Sequence, residues 1–323
     1  MKSGKNIFYV LLVLMAFFLP IFIKNEYYLH VLILSVINII LASSLRAMTT
    51  SGQVSLGHAG FMSVGAYTSA ILAMKFGLST YISLLLGGVA AMALAAIIAY
   101  PITRVRTVYF AMLTLFIGEV IRLVMTEQRA ITGGTSGLLN IPRLDTISFL
   151  GLFNIGFATK LSNYYFVLIL MLIILLFLYS LERSFIGMTF KAISQDDSLA
   201  SSTGINVARF KAIIFCIGCL FAGLAGSFYA HYISVLTPDS FGILNSIYII
   251  IYMVVGGSRR FAGAIVGAFI LTLVPEIFRP LKEYQPFVFV AVLYLVVFLL
   301  PGGLSDLPGL IKSQVQRIYR RKA

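Results

Sequence analysis

Apolar residues in this chain gather into long unbroken runs, with polar residues confined to the intervals between them. A run of about 17 or more apolar residues is long enough to cross a hydrocarbon core of about 30 Å as a helix. On that criterion the pattern predicts about ten spans: Asn6 to Ile23, Tyr27 to Leu45, Gly57 to Met74, Thr80 to Tyr100, Thr107 to Met125, Asn163 to Leu181, Lys211 to Ile233, Phe241 to Val255, Phe261 to Phe278 and Tyr284 to Leu300. The fourth, sixth and tenth are the clearest, whereas the third and eighth are short or interrupted by glycine. Lipid cannot satisfy backbone N–H and C=O groups, so spans must be helices or a closed barrel. Unbroken runs lack the in-out alternation of a barrel. The expected fold is an all-α polytopic membrane protein.

Composition agrees: of 323 residues 60% are hydrophobic and 11% charged, which no water-soluble core could accommodate. The first run follows Lys2 and Lys5 as a signal peptide would, but it is too long and no small-x-small cleavage site follows, so it is read as a span. Cys216 and Cys219 lie in one apolar run and are read as buried, reduced packing residues.

The net charge of +13 resolves into an orientation. With an inside N-terminus, sixteen of the 24 Lys and Arg fall on one side, including Arg46, Arg104, Arg183, Lys191, Arg209, Lys211, Arg260 and the basic tail over 310–323; seven fall on the other, and Arg122 lies alone within a span. Cytoplasmic loops carry the basic excess, which places both termini inside. Basic loops also meet anionic lipid headgroups. Nucleic acid is not an expected partner, because the charge is scattered over loops rather than gathered on one face.

Two polar interruptions stand out. One runs from Glu182 to Lys211, ERSFIGMTFKAISQDDSLASSTGINVARFK. It reads as a short amphipathic helix through Met188 to Ile193, then a second helix capped by Asp196 or Asp197 and stopped at Gly204. The pattern alone leaves a motor-docking element and an ordinary connecting loop equally open. The other is SGQVSLGHAGFMSVG, Ser51 to Gly65. Its glycines and hydroxyls suit a broken helix beside a cavity, and equally a tight helix contact without solute. Ser51, Gly52, Gln53, Ser55, Gly57, His58, Gly60 and Gly65 are the candidate path residues. His58 taken alone reads as a packing or loop histidine, and the three His residues offer no metal-ligand spacing.

Several segments resemble a known family. FIGMTFKAISQDDSLASSTGINVARFKAIIF looks like the ATPase-docking loop of ABC importer permeases, with the alanine-rich core reduced to Ser198-Leu199-Ala200 before Gly204. SGQVSLGHAGFMSVGAYTSAIL, YFAMLTLFIGEVIRL, TGGTSGL and AGLAGSFYAHYISVLTPDSF resemble, in order, permeases of branched-chain amino acid ABC importers of the LivM type, over about Leu41 to Pro280. The resemblance implies one transmembrane permease domain over 1–323, in the bacterial cytoplasmic membrane. It implies a coupling role for the loop, with Gly187, Ala192, Asp196, Asp197, Ala200, Gly204 and Ile205 as candidate coupling residues. It also implies partners: a second homologous permease subunit, two cytoplasmic ABC ATPase subunits and an extracytoplasmic solute-binding protein. The sole Gly-Lys pair is Gly4-Lys5, so the chain has no Walker A phosphate loop and ATP hydrolysis is expected on the partner subunits. No enzymatic activity, cofactor or metal is expected. A permease for urea or short amides is the alternative within this class.

Single features point to other classes. Glu119 and Arg122 share one face of the fifth span, and an intramembrane ionisable pair defaults to function. Arg122 can also snorkel outward while bonded to Glu119, and the pair is read as structural. Apart from Glu119 and Glu276 the spans hold no carboxylate for an ion-coupled carrier. Gly134-Thr135-Ser136-Gly137 has the form of an intramembrane protease motif, with His231 downstream, but Ser136 lies in a polar loop and nothing places the two within reach. A shift of 185 residues aligns Ser55 with Ser240, Gly57 with Gly242, Tyr67 with Tyr252 and Pro101 with Pro286. Those matches are no better than chance, yet a shift of five spans implies opposite topology, the arrangement of an inverted repeat.

Overall fold

The computed structural model describes residues 16–20, 25–105, 107–149, 153–155, 157, 159–278, 290, 291, 294, 298 and 302–306. Ten α-helices of six or more residues organise the described part. They are α1 (Glu26–Thr49), α2 (His58–Phe76), α3 (Thr80–Ile102), α4 (Thr107–Glu127), α5 (Lys160–Arg183), α6 (Phe185–Gln195), α7 (Asp197–Ser202), α8 (Val207–Ile233), α9 (Ile243–Gly256) and α10 (Phe261–Ile277). Eight of the expected spans coincide with α1 to α5 and α8 to α10. Most of the first and last, and the basic tail, lie outside the described residues. Among the described residues, six helices are long and apolar enough to cross a membrane: α1, α3, α4, α5, α8, and α9 together with the turn before it, Pro238–Gly256.

The end of the bundle bearing residues 128–159 is termed distal, and the end bearing α6 and α7 proximal. Lys160 Nζ meets Glu26 at 3.2 Å at the distal starts of α5 and α1, and Arg46 meets Glu182 where both helices end proximally. Helices α1 and α5 thus run in parallel. Helix α8 runs against α1, since His30 meets Tyr232 distally and Met48 packs on Gly218 nearer the proximal end.

Small residues decide how closely the centre packs. A Cβ on Gly65 of α2 would stand 2.2 Å from Gly223 O of α8, and one on Gly57 would stand 1.9 Å from Thr114 O of α4. Only glycine allows backbones to approach this far. Around these contacts lies one continuous apolar core, with Ile33, Leu45, Phe61, Tyr67, Phe110, Phe215 and Phe228 almost wholly buried.

Two expectations need correction, and the distal loop adds short strands: β1 (Leu138–Leu139) pairs antiparallel with β4 (Val235–Leu236), and β2 (Ile147–Phe149) with β3 (Phe153–Ile155). Strands of two or three residues leave no readable alternation, so the pattern could not foretell them. The proximal loop is shorter than 182–211, because Asn206 Oδ1 accepts from Arg209 N at 3.1 Å and starts α8 at Val207. Cys219 is buried as expected, but Cys216 is only partly so; both are free thiols.

Candidate functional site

The proximal loop is a compact two-helix hairpin with a cap at each joint. Ser184 Oγ accepts from Gly187 N at 3.3 Å and opens α6; a Cβ on Gly187 would collide with the last carbonyls of α5. Asp196 Oδ1 accepts from Ser198 N at 2.8 Å and Leu199 N at 3.0 Å and opens α7. The hydrogen bond from the Ser198 hydroxyl, with those two amides, holds the Asp196 carboxyl below the usual carboxylate range. Helix α7 closes at Gly204, whose φ of +85° favours glycine, and Ile205 N donates back to Ala200 O at 3.3 Å. Ala200 is buried under α7, whereas Ala192 lies exposed on α6.

Ion pairs fasten this hairpin to the bundle. Arg46, 3% exposed, donates from Nη1 and Nη2 to both oxygens of Glu182 at 3.0 and 3.1 Å, and from Nε to Ser258 O at 3.1 Å. One guanidinium thereby joins α1, α5 and the α9–α10 turn, a use of the planar fork that lysine could not copy. Lys191 of α6 reaches the same Glu182 at 3.6 Å. Lys211 of α8, 3% exposed, donates to Asp197 of α7 at 2.5 Å. An open notch of about 270 Å³ beside that pair is lined by Thr103, Arg104, Val105, Asp197, Val207, Ala208 and Lys211. Sequence reasoning counted Arg46 and Lys211 as loop charges. Their burial had one available signal: each sits within a turn or so of an apolar run rather than among polar neighbours.

The second interruption links the proximal end to the centre. Gly52 lies beside Ser194 of α6, and α2 begins inside the bundle at His58. Its glycines are spent on packing: Gly57 and Gly60 press on Thr114 and Gly118 of α4, and Gly65 on Gly223. The polar members behave differently. Ser51 is satisfied by Met48 O at 2.9 Å, but buried Gln53 Oε1 and Ser55 Oγ have no hydrogen-bond partner among the described residues. Ser44 Oγ spends its proton on Leu41 O, so it accepts from His58 Nε2 at 2.9 Å, and in the neutral ring Nδ1 is a bare acceptor, also unpartnered among the described residues. A buried polar atom left unpaired costs about 1–3 kcal/mol. Such a cluster is a place where water or a polar solute gains by entering.

Two helices start side by side here. Ala59 N, in the first turn of α2, donates to Ser246 Oγ of α9 at 3.1 Å, and the two helices are capped by Gly57 and Gly242. Near them, Arg122 donates to Glu119 Oε1 at 2.8 and 2.5 Å, and across to Asp239 Oδ1 at 3.0 Å. The third member, Asp239, was not anticipated, since it lies 117 residues away in a loop that reads as ordinary.

The protease reading finds no geometry. His231 Nδ1 donates to Pro142 O at 2.7 Å and Nε2 faces Ser69 Oγ at 2.8 Å, so both ring nitrogens are engaged away from Ser136. Glu276, the other intramembrane carboxylate considered, accepts from the Tyr27 hydroxyl. Among the described residues no three His, Cys, Asp or Glu gather as metal ligands would. In the distal loop, Asp145 accepts from Thr80 N at 2.8 Å and its own amide donates to Thr80 Oγ1 at 2.9 Å. Burial opposes ionisation of Asp145, but the bonds from Thr80 and Ser79 outweigh it and hold its carboxyl below the usual range.

Comparison with known proteins places this arrangement. Curated relatives include the high-affinity branched-chain amino acid transport system permease protein LivM of Escherichia coli K12, 29% identical over 93% of this chain and 75% of that protein. LivM of Salmonella typhimurium is 29% identical over 84% of this chain and 68% of that protein. A LivH permease of Methanocaldococcus jannaschii, described as probable, is 26% identical over 69% of this chain and 70% of that protein. No solved structure matches. The family described as branched-chain amino acid transport system / permease component matches residues 27–300, and this chain belongs to it.

Proposed function

We propose that this chain is the membrane-spanning permease subunit of an ATP-binding-cassette importer that carries leucine, isoleucine and valine across the bacterial cytoplasmic membrane. The distal end then faces outward, both termini are cytoplasmic, and about ten helices span the bilayer. A second homologous permease completes the channel, two cytoplasmic ATPases drive it, and an extracytoplasmic binding protein delivers the solute. The substrate class comes from the curated relatives, which are named for it. An inverted repeat is supported by α2 and α9, which start beside each other after irregular segments, run in opposite directions and are capped by glycines at the 185-residue shift.

The observation that carries the coupling assignment is the pair Lys211 to Asp197, together with Lys191 to Glu182, the carboxylate that Arg46 also holds. A motor that pulls on α6 and α7 pulls through them on α8 and on the proximal ends of α1 and α5. Helix α8 is locked to α2 by backbone contact at Gly65 and Gly223, so a movement of α8 carries the start of α2 with it. The test is to purify the tagged chain from its native membrane and to measure labelled leucine uptake in vesicles. Two ATPases and a second permease are the expected companions; a lone homo-oligomer, or uptake without ATP, would sink the reading.

A further inference from the structure

The network of Glu119, Arg122 and Asp239 lies at a depth that restricts what Asp239 can face. Helices α2 and α4 run side by side in one direction: a Cβ on Gly60 would stand 2.6 Å from Gly118 Cα, and Val64 packs with Ile121. Arg122 is therefore level with about Val64, and the remaining stretch of α2 to Phe76 is about 18 Å at 1.5 Å per residue. Helix α3 supplies a second ruler. A Cβ on Gly87 would stand 2.6 Å from Gly65 O, and the stretch from Thr80 to Gly87 is about 10 Å. The two rulers bracket the network at about 10–18 Å from the distal ends of these helices, well inside a hydrocarbon core about 30 Å thick.

Asp239 belongs to the 3₁₀ turn Pro238–Phe241, between β4 and α9. Non-helical backbone at membrane depth must be covered by protein or bathed in water. The Asp239 side chain is 87% exposed, whereas Arg122 beside it is 23% exposed. A carboxylate on so short a side chain cannot reach the headgroups from this depth, and in lipid it would be prohibitively costly. Oδ1 accepts from Arg122, and among the described residues no donor engages Oδ2. Exposed apolar side chains, Ile243 and Leu244, open α9 directly after the turn.

We propose that Asp239 lines a water-filled stretch of the translocation path inside the membrane and receives the α-ammonium group of the amino acid, with Ile243 and Leu244 offering apolar surface to its side chain. Arg122 is a positioning residue: held by Glu119, it aims the Asp239 carboxylate outward. This rests on the reading of the chain as an amino-acid permease.

The experiment uses the assembled transporter in right-side-out vesicles, with Cys216 and Cys219 replaced by alanine and with Asp239→Cys, Leu244→Cys or the distal-loop control Thr146→Cys. A charged, membrane-impermeant thiol reagent is expected to modify all three, and saturating leucine to slow modification at 239 and 244 but not at 146. Asp239→Asn is expected to raise the KM for leucine uptake at least tenfold at unchanged membrane level, with partial recovery in Asp239→Glu. Modification at 146 alone, or an unaltered KM in Asp239→Asn, overturns the proposal while leaving the permease reading intact. Wild-type vesicles that take up no branched-chain amino acid would sink the permease reading, and labelling without solute would still decide whether Asp239 faces water.

Discussion

At the proximal end of the molecule, α6 and α7 are fastened by long charged side chains, Lys191 on Glu182 and Lys211 on Asp197; at the centre, α2 is fastened to α4 and α8 by glycine backbone. The two kinds of joint differ in what they permit. An ion pair between flexible side chains can hold while its helices shift by an ångström or two. A backbone contact has no slack, because a close-packed interface transmits displacement instead of absorbing it. A subunit that must receive a pull at one end and move as a unit in the middle needs both.

The contrast can be broken most severely at the centre. Gly65→Val places a Cβ within 2.2 Å of Gly223 O, and neither backbone can yield without unpacking α2 from α8. Overpacking typically costs about 1–3 kcal/mol and here meets main chain rather than a movable side chain. The variant is expected to melt well below the wild type in detergent, or not to accumulate, as thermal unfolding and membrane yield would reveal. Unaltered melting would show that the joint is looser than described.

Lys211→Met is the next test, because it keeps the aliphatic stem that is buried and removes only the charge reaching Asp197. Membrane insertion and melting should change little, while leucine-stimulated ATP hydrolysis by the assembled complex should fall severalfold. Retained coupling would mean that the force passes elsewhere. Gly204→Val should act through strain, since a φ of +85° costs an L-residue about 1–2 kcal/mol. Open space around Gly204 means that no clash adds to it. Local loosening of α7, read as faster amide exchange there with normal exchange in α8, is expected together with weakened ATPase association.

The smallest effect belongs to Asp196. Because its folded-state carboxyl is depressed, the cap is fully present above the ordinary carboxylate value and is lost only as pH falls through the folded one. Asp196→Asn should leave neutral-pH behaviour nearly unchanged and remove the acid-range dependence of protease sensitivity at α7. An acid transition that persists in the variant would assign it to another group.

What could be read from the chain followed from local rules. Apolar runs located eight helices to within a few residues, because lipid leaves the backbone no alternative to internal hydrogen bonding. The stop at Gly204 was equally legible, and the cap was narrowed to Asp196 or Asp197, because these are interactions of residues with their near neighbours. The pairing of Glu119 with Arg122 was visible for the same reason, as residues one helical turn apart.

Relations between distant segments were not legible. Gly57 and Gly65 suggested either a solute path or close packing, and a glycine in isolation cannot choose between them. Only the position of Gly118 and Gly223 opposite shows that these two glycines pack against backbone, and only the absence of a nearby donor marked Gln53, Ser55 and His58 as unsatisfied among the described residues. Asp239 read as a loop carboxylate until the fold carried it across to Arg122. The sequence by itself determined that this is a helical membrane protein and where most of its helices run, since hydrophobicity and capping act within a few residues. Tertiary structure decided which small residues meet, which charges are buried and which carboxylate stands exposed at membrane depth, because those depend on segments that come together only when the bundle closes.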